Sequence, residues 1–401
     1  MKTRVLMMVL ATVGWMLISG GSSQADLAIK GFDSTGQLAF NTLNDGTNYN
    51  YQIEWAPSPA GPWSPFTGVG AWLDNVSSAG SRVTNPVPMC YRVVATLGDY
   101  MVVDISGGTN ASSYPVSYYR SLADLPGGTG VNIDTYKTTN MVFRRIPAGT
   151  YTMGSPAEEL GRSPVETQHT VTLMHPFYCG VFEVTQKQWE RVMGTWPSYF
   201  TNASYRNTRP VEQVTYGMIR GTNTGALWPA TNSVDASSFM GRLRARTGKA
   251  FDLPTESQWE YAGRSGTTTA LNSGKNLTST LNCPNMAEVG RYWYDGGTGG
   301  LFNPSGDSSV GTAKVGSYLP SPWGLYDIHG NVWEWCLDWY GAYPNNSVSD
   351  PPGLSSGSGR VCRGGSWSPN ADYCRVGMRT SYDPNNVYNA LGFRVVLPSG
   401  Q

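Results

Sequence analysis

Charge is what this chain has least of. Asp, Glu, Lys and Arg make up 14% of its 401 residues, and 28 acids are balanced by 28 bases. Without net charge there is no long-range field to hold a polyanion or an anionic membrane face, which argues against nucleic-acid binding. Histidine is scarcer still: His169, His175 and His329 are the only three, and none stands in an HExxH or Cys/His spacing. The six cysteines (Cys90, Cys179, Cys283, Cys336, Cys362, Cys374) include no CxxC pair, so the motifs of a zinc hydrolase are missing. Past the leader described next, no run approaches about 18 uninterrupted apolar residues, so no membrane span is expected in the mature chain.

What is abundant points the other way. Gly 48, Pro 26, Tyr 23 and Trp 14 favour turns, irregular backbone and aromatic packing over long amphipathic helices. Residues 1–25 read as a secretory leader: Lys2 and Arg4, an apolar stretch over 5–18, and small residues ending at Ser23-Gln-Ala25. That apolar stretch is shorter than the roughly 20 residues a span needs, and no cysteine follows the cleavage point, so a lipoprotein leader is not indicated. The mature chain is expected to start at Asp26 and to be exported (periplasmic, cell-surface or secreted). An even number of cysteines permits disulfides there, although spacing leaves their pairing open.

Residues 26–104 alternate β-rich runs such as Tyr51-Gln-Ile-Glu-Trp55 with Pro- and Gly-rich turns, the pattern of a small all-β sandwich of fibronectin or immunoglobulin type. Such a module more often positions or tethers than catalyses. Residues 105–139 carry Gly, Ser and Pro clusters without period and read as a linker. A last domain is expected over 140–398, with three helices. One is capped by Thr185 and Gln188 and stopped by Gly194. A second runs over 234–247, with Ala236, Phe239, Met240 and Leu243 on one face and Gly248 as its stop. A third is capped by Thr255 and Gln258.

Seven ordered blocks carry more than secondary structure. They are Arg145-Ile-Pro-Ala-Gly-Thr-Tyr-Thr-Met-Gly154, Phe182-Glu-Val-Thr-Gln186, Arg209-Pro-Val-Glu-Gln213, Leu253-Pro-Thr-Glu-Ser-Gln-Trp-Glu-Tyr261, Trp323-Gly-Leu-Tyr-Asp-Ile-His-Gly-Asn-Val-Trp-Glu-Trp335, Arg363-Gly-Gly-Ser-Trp367 and Leu391-Gly-Phe-Arg394. Together they resemble the sulfatase-modifying-factor, or formylglycine-generating-enzyme, family. The resemblance implies an α+β fold akin to C-type lectin-like domains, low in regular secondary structure and here preceded by the all-β module.

Active members of that family oxidise a sulfatase cysteine to formylglycine with copper and oxygen, two enzyme cysteines holding Cu(I). A soft ion prefers thiolates, and a two-thiolate site leaves room for the substrate sulfur. The family places those cysteines two and seven positions beyond the aromatic of the Gly-Gly-Ser motif. Here the seventh is Cys374 and the second is Pro369, which has no ligand atom. Cys336 and Cys362 are the other cysteines expected near Cys374, which is read as a structural thiol or one half of a disulfide. The resemblance also implies a calcium site at Asp327, Gly330, Val332 and Glu334, two carboxylates and two carbonyls that suit a hard cation. Trp333 and Ser366 match positions lining the family's substrate cleft. With Arg375, and with Arg379 and Arg394 close in sequence, they would form a pocket for a peptide or small polar ligand; packing of Trp333 in the core and pairing of the arginines with acids is the other reading. Iron-dependent sulfoxide synthesis, as in ergothioneine-making relatives, would need a separate histidine-bearing domain that this chain lacks. The leading expectation is an exported, calcium-stabilised binding or accessory protein without the standard copper centre, its partner an unidentified protein or small ligand, a sulfatase among the candidates. The alternative is a copper-dependent formylglycine-generating oxidase built on Cys374.

Overall fold

The computed structural model describes residues 98–128, 130–221, 234–297 and 310–398, together with the backbone of the strands before residue 98. The chain divides into two compact units, one of residues 1–99 and 118–124, the other of residues 100–117 and 125–399. In the first, strands Gly14–Ser19, Arg4–Ala11, Cys90–Leu97, Tyr49–Ala56 and Ser64–Pro65 form one sheet in that order, and Ile29–Phe32 pairs with Leu38–Phe40. The expected leader cleavage point and most of the expected sandwich fall outside the described residues. Among the described residues no helix is long and apolar enough to cross a membrane.

The second unit begins earlier than the sequence suggests. Tyr100–Asp104 pairs antiparallel with Asn140–Ile146, Val102 opposite Val142. Asn140–Ile146 also pairs with Phe177–Gly180, which in turn pairs with Val396–Pro398. Met141, Val142 and Phe143 are buried on successive positions, as in a strand covered on both faces. Residues 105–139, expected as a linker, are in large part packed structure. Ile105, Tyr114, Val131 and Tyr136 are buried, and Thr135–Thr138 is a helical turn. The stretch shows no period because side chains from elsewhere fix its backbone: Gln188 Nε2 donates to the Tyr136 carbonyl (3.0 Å) and Thr185 Oγ1 to that of Lys137 (2.6 Å).

The helices follow their caps. Gln186–Met193 and Glu256–Arg264 carry both capping boxes, Thr185 with Gln188 and Thr255 with Gln258, and Gly194 and Gly248 terminate their helices in the left-handed conformation. The second helix spans Phe239–Thr247, shorter than expected, because Ser238 caps it by accepting the Gly241 N–H; Ala236 lies ahead of the cap and is exposed. Trp189 stacks on Phe239 (5.4 Å) and meets Phe393 edge-on.

A four-stranded sheet positions the site. Its order is Arg379–Tyr382, Arg360–Arg363, Trp333–Trp339, Leu391–Gly392. Around it, buried arginines bind backbone carbonyls, most of them in loops. Arg394 donates to Gly180 and Tyr326, Arg363 to Val376, Gly377 and Met378, and Arg291 to Gly311, Asp295 and Gly296. A guanidinium carries five donors in a fixed fork, so one side chain stands in for several backbone hydrogen bonds.

Candidate functional site

The loop entering strand Trp333–Trp339 turns sharply. Asp327, Gly330 and Asn331 all have φ near +60 to +80°, and a Cβ on Gly330 would lie 1.9 Å from the Arg291 carbonyl oxygen, so only glycine fits. Three acids gather about this turn, Asp327 on it, Glu334 in the strand that follows and Glu183 from the 182–186 segment. Glu334 is held by Arg394 (Oε1 to Nη2, 2.8 Å) and by the Trp259 indole N–H (2.7 Å). Glu183 accepts from Asn331 Nδ2 (2.6 Å) and the Val332 N–H (3.1 Å). Asp327 Oδ2 accepts the Gly316 N–H (2.7 Å), while its buried Oδ1 has no partner among the described residues.

Burial dominates the electrostatics of these acids. Burial, then the charges of Asp327 and Glu334, push Glu183 well above the ordinary carboxylate range. Burial likewise lifts Asp327 to about 6, and it lowers nearby Lys137 to about 8. An orphaned carboxylate oxygen suits a hard cation, whereas Glu334 is already engaged by Arg394. Among the described residues no group of three or more His, Cys, Asp or Glu is placed to hold a metal. A calcium ion here would therefore rest on the Asp327 carboxylate and on the Gly330 and Val332 carbonyls, with Glu334 shared. Sequence reasoning missed Glu183, although it lies in one of the seven blocks.

Cys374 sits where a side chain on Gly365 would be: a Cβ there would come within 2.5 Å of its sulfur. Its thiol is fully buried, faces the Ser366 carbonyl (3.7 Å), and is pushed far up by burial. Pro369 supplies only a carbonyl, which accepts the Trp293 N–H (3.0 Å). With Pro369 in place of a thiol, the two positions that the family uses do not fit a two-thiolate Cu(I) centre. All five described cysteines are free thiols. Cys336 belongs to the main core cluster, and Cys362 pairs across the sheet with Trp335, so neither shares Cys374's surroundings. The cysteine that does is Cys283, in one apolar cluster with Cys374, Ala371 and Tyr292. Burial alone would raise the Cys283 thiol, but hydrogen bonds to its sulfur from the Thr278 N–H (3.4 Å) and hydroxyl (3.5 Å) bring it below the ordinary value. Nothing in the spacing of Cys283 pointed to this.

Trp333 and Ser366 are both buried, Trp333 anchored by its N–H to the Ala390 carbonyl (2.8 Å). Beside Ser366, Trp367 is half-buried. It donates from its indole to the Asn389 carbonyl (3.0 Å) and stands edge-on to Phe200 (5.4 Å), with exposed Tyr199 packed on Phe200 in turn. Glu212 fixes that aromatic pair by accepting both of their backbone N–H groups. The arginines expected beside this face are spent elsewhere. Arg375 gives all five donors to protein oxygens: Glu159, both oxygens of Glu166, and the carbonyls of Gly161 and Asp372. Arg379 pairs bidentately with Glu256, and Arg394 with Glu334. None of the three is available to a ligand without breaking a buried pair, so the pairing reading holds for them.

A family model described as "Sulfatase-modifying factor enzyme 1-like domain" matches residues 132–398. The formylglycine-generating enzyme of Mus musculus is 27% identical over 72% of this chain and 82% of its own length. "Inactive C-alpha-formylglycine-generating enzyme 2" of Bos taurus is 26% identical over 70% of this chain and 95% of its own. Among solved structures, Treponema denticola variable protein 1 is 28% identical and covers 65% of this chain and 96% of its own, with a TM-score of 0.51.

Proposed function

The chain belongs to the sulfatase-modifying factor enzyme 1-like family, and from that premise we propose that it is an exported, calcium-stabilised binding or accessory protein that does not carry out the standard formylglycine-generating reaction. One observation carries this reading: Pro369 stands where the second thiolate is needed, and the remaining thiol, Cys374, is sealed under Gly365 and Ser366 with its proton retained. A relative named as inactive, matched along nearly its whole length, supports it. The ligand face would be Trp367, Phe200 and Tyr199 beside Ser366, which offers aromatic surface for a peptide or small polar ligand, a sulfatase segment among them. The test is to incubate the reduced protein with copper, oxygen and a cysteine-containing sulfatase-motif peptide. The peptide mass should stay unchanged; thiol-to-aldehyde conversion would overturn the reading.

The export component rests on the composition of residues 1–25 alone. Mass spectrometry of secreted material should place the N-terminus at Asp26, and an intact Met1 there would contradict it. The second reading is a copper-dependent formylglycine-generating oxidase, favoured by the one observation that Cys283 shares a cluster with Cys374. Copper would supply the oxygen chemistry; the two thiols would hold it, and loss of binding in both Cys283→Ser and Cys374→Ser would distinguish this case.

A further inference from the structure

The strand Trp333–Trp339 serves two places. Its first residue lies at the site described above. Its last two, Asp338 and Trp339, line a cavity of about 260 Å³, roughly 20 Å further along at about 3.3 Å per residue. Met153, Ala342, Pro344, Pro351, Pro352 and Leu354 give the lining its mainly apolar character. Ala342, Pro352 and Leu354 are exposed, which puts them at the mouth. The ligand face proposed above includes none of these residues.

The polar groups that share the lining are engaged by the protein itself. Glu256 is matched bidentately by Arg379 (2.7 and 2.7 Å) and also accepts the Tyr343 hydroxyl (3.0 Å). Arg379 in turn lies over the Tyr343 ring (3.9 Å) and donates to the Gly341 carbonyl (2.7 Å). Ser257 Oγ is bonded to Thr255 Oγ1 (3.1 Å), and His169 Nδ1 to the Thr167 carbonyl (3.2 Å). Asp338 accepts the Glu256 N–H at Oδ2 (2.7 Å), and its other oxygen lies against Gly353, where a Cβ would come within 2.6 Å of it. Burial, with the charge of Glu256 second, lifts this carboxyl to about 7, so it holds its proton into the neutral range. The arginine in the lining is thus spent on an acid, and the acid without an ion pair has shed much of its charge.

A pocket with engaged polar groups and apolar walls selects against charge. A ligand's own charge would be taken from water without a partner, which is costly, whereas apolar surface gains from being covered. We propose that this cavity is a binding site for a small, uncharged, apolar molecule. Its size follows from the volume: a closed apolar cavity of about 150 Å³ takes up benzene, so about 260 Å³ suits a molecule of about ten heavy atoms. The exposed Leu354 side chain extends the apolar wall outward at the mouth, where it would cover part of such a molecule.

The test uses the full chain with 13C-labelled methionine methyl groups, the Met153 signal being assigned by its loss in Met153→Leu. Titration with 4-ethylphenol should shift that signal saturably in the millimolar range. Tyramine and 4-hydroxyphenylacetate, which add an ammonium or a carboxylate to the same ring, should bind at least about tenfold more weakly. Xylose, similar in size but polar throughout, should leave the signal unmoved. Ala342→Trp, at an exposed position of the mouth, should fill the entrance and abolish the 4-ethylphenol shift. Should that variant fail to fold, Leu354→Ser gives an independent check and should weaken binding about threefold by removing apolar contact. No saturable shift, binding of tyramine, 4-hydroxyphenylacetate or xylose as tight as that of 4-ethylphenol, or indifference to the substitutions at the mouth would overturn the proposal.

Discussion

Asp338 is an acid whose state is decided by burial first and by the charge of Glu256 second. Burial raises it from 3.8 to about 7, so the folded chain holds the proton more tightly than the unfolded one. The sign follows from linkage: its contribution to stability is full below about pH 4 and is lost as pH rises through 7. Comparing wild type with Asp338→Asn in urea, the wild-type advantage should shrink by at least about 1 kcal/mol between about pH 5 and pH 8. An unchanged difference would show that the carboxyl is solvated. Arg375 shows why such states resist reading from sequence. Its partners Glu159 and Glu166 lie more than 200 positions away, and no local pattern separates an arginine that meets two buried acids from one that meets a ligand. Pro369, by contrast, was legible at once, because the absence of a ligand atom needs no coordinates.

At the scale of elements, signals that act within one turn were read correctly. Both capping boxes and the glycine stops were in place, since Thr185 with Gln188 and Thr255 with Gln258 satisfy helix-end donors three residues apart. The start at Ser238 and the packing within residues 105–139 were not foreseen; the second depends on Gln188 and Thr185 reaching across to backbone carbonyls. The 327–334 loop lies between these cases. The family resemblance implied calcium there, and the structure adds an Asp327 Oδ1 without a partner among the described residues while giving Glu334 to Arg394. Chelation should lower the melting temperature by several degrees, about 3 kcal/mol of linkage at a hundredfold excess over Kd. Asp327→Asn, which tolerates the left-handed φ and keeps an acceptor for Gly316, should abolish that response. A melting curve indifferent to chelator would remove calcium from the loop.

For the whole molecule, a chain with few charges puts many of them inside. Arg209, Arg220, Arg291, Arg360, Arg363, Arg375 and Arg394 are among its largest fully buried side chains. Arg220, Arg291, Arg360, Arg363, Arg375 and Arg394 bind carbonyls and carboxylates across a fold short of regular ladders, so the family's architecture rests on arginine forks and aromatic packing. The ordered blocks revealed that architecture because several of them contribute to these forks: Glu256, Glu260, Glu334, Arg363 and Arg394 all lie within them. What they could not reveal is which thiol shares an apolar cluster with Cys374, since Cys283 stands 91 positions earlier in a segment of different pattern. An anaerobic Cu(I) titration of the fully reduced chain in a competing chelator tests the absence of the two-thiolate centre most directly. No tight binding is expected, and the same weak uptake in Cys374→Ser. Stoichiometric, sub-micromolar binding abolished by Cys374→Ser would contradict it and establish a rebuilt copper site.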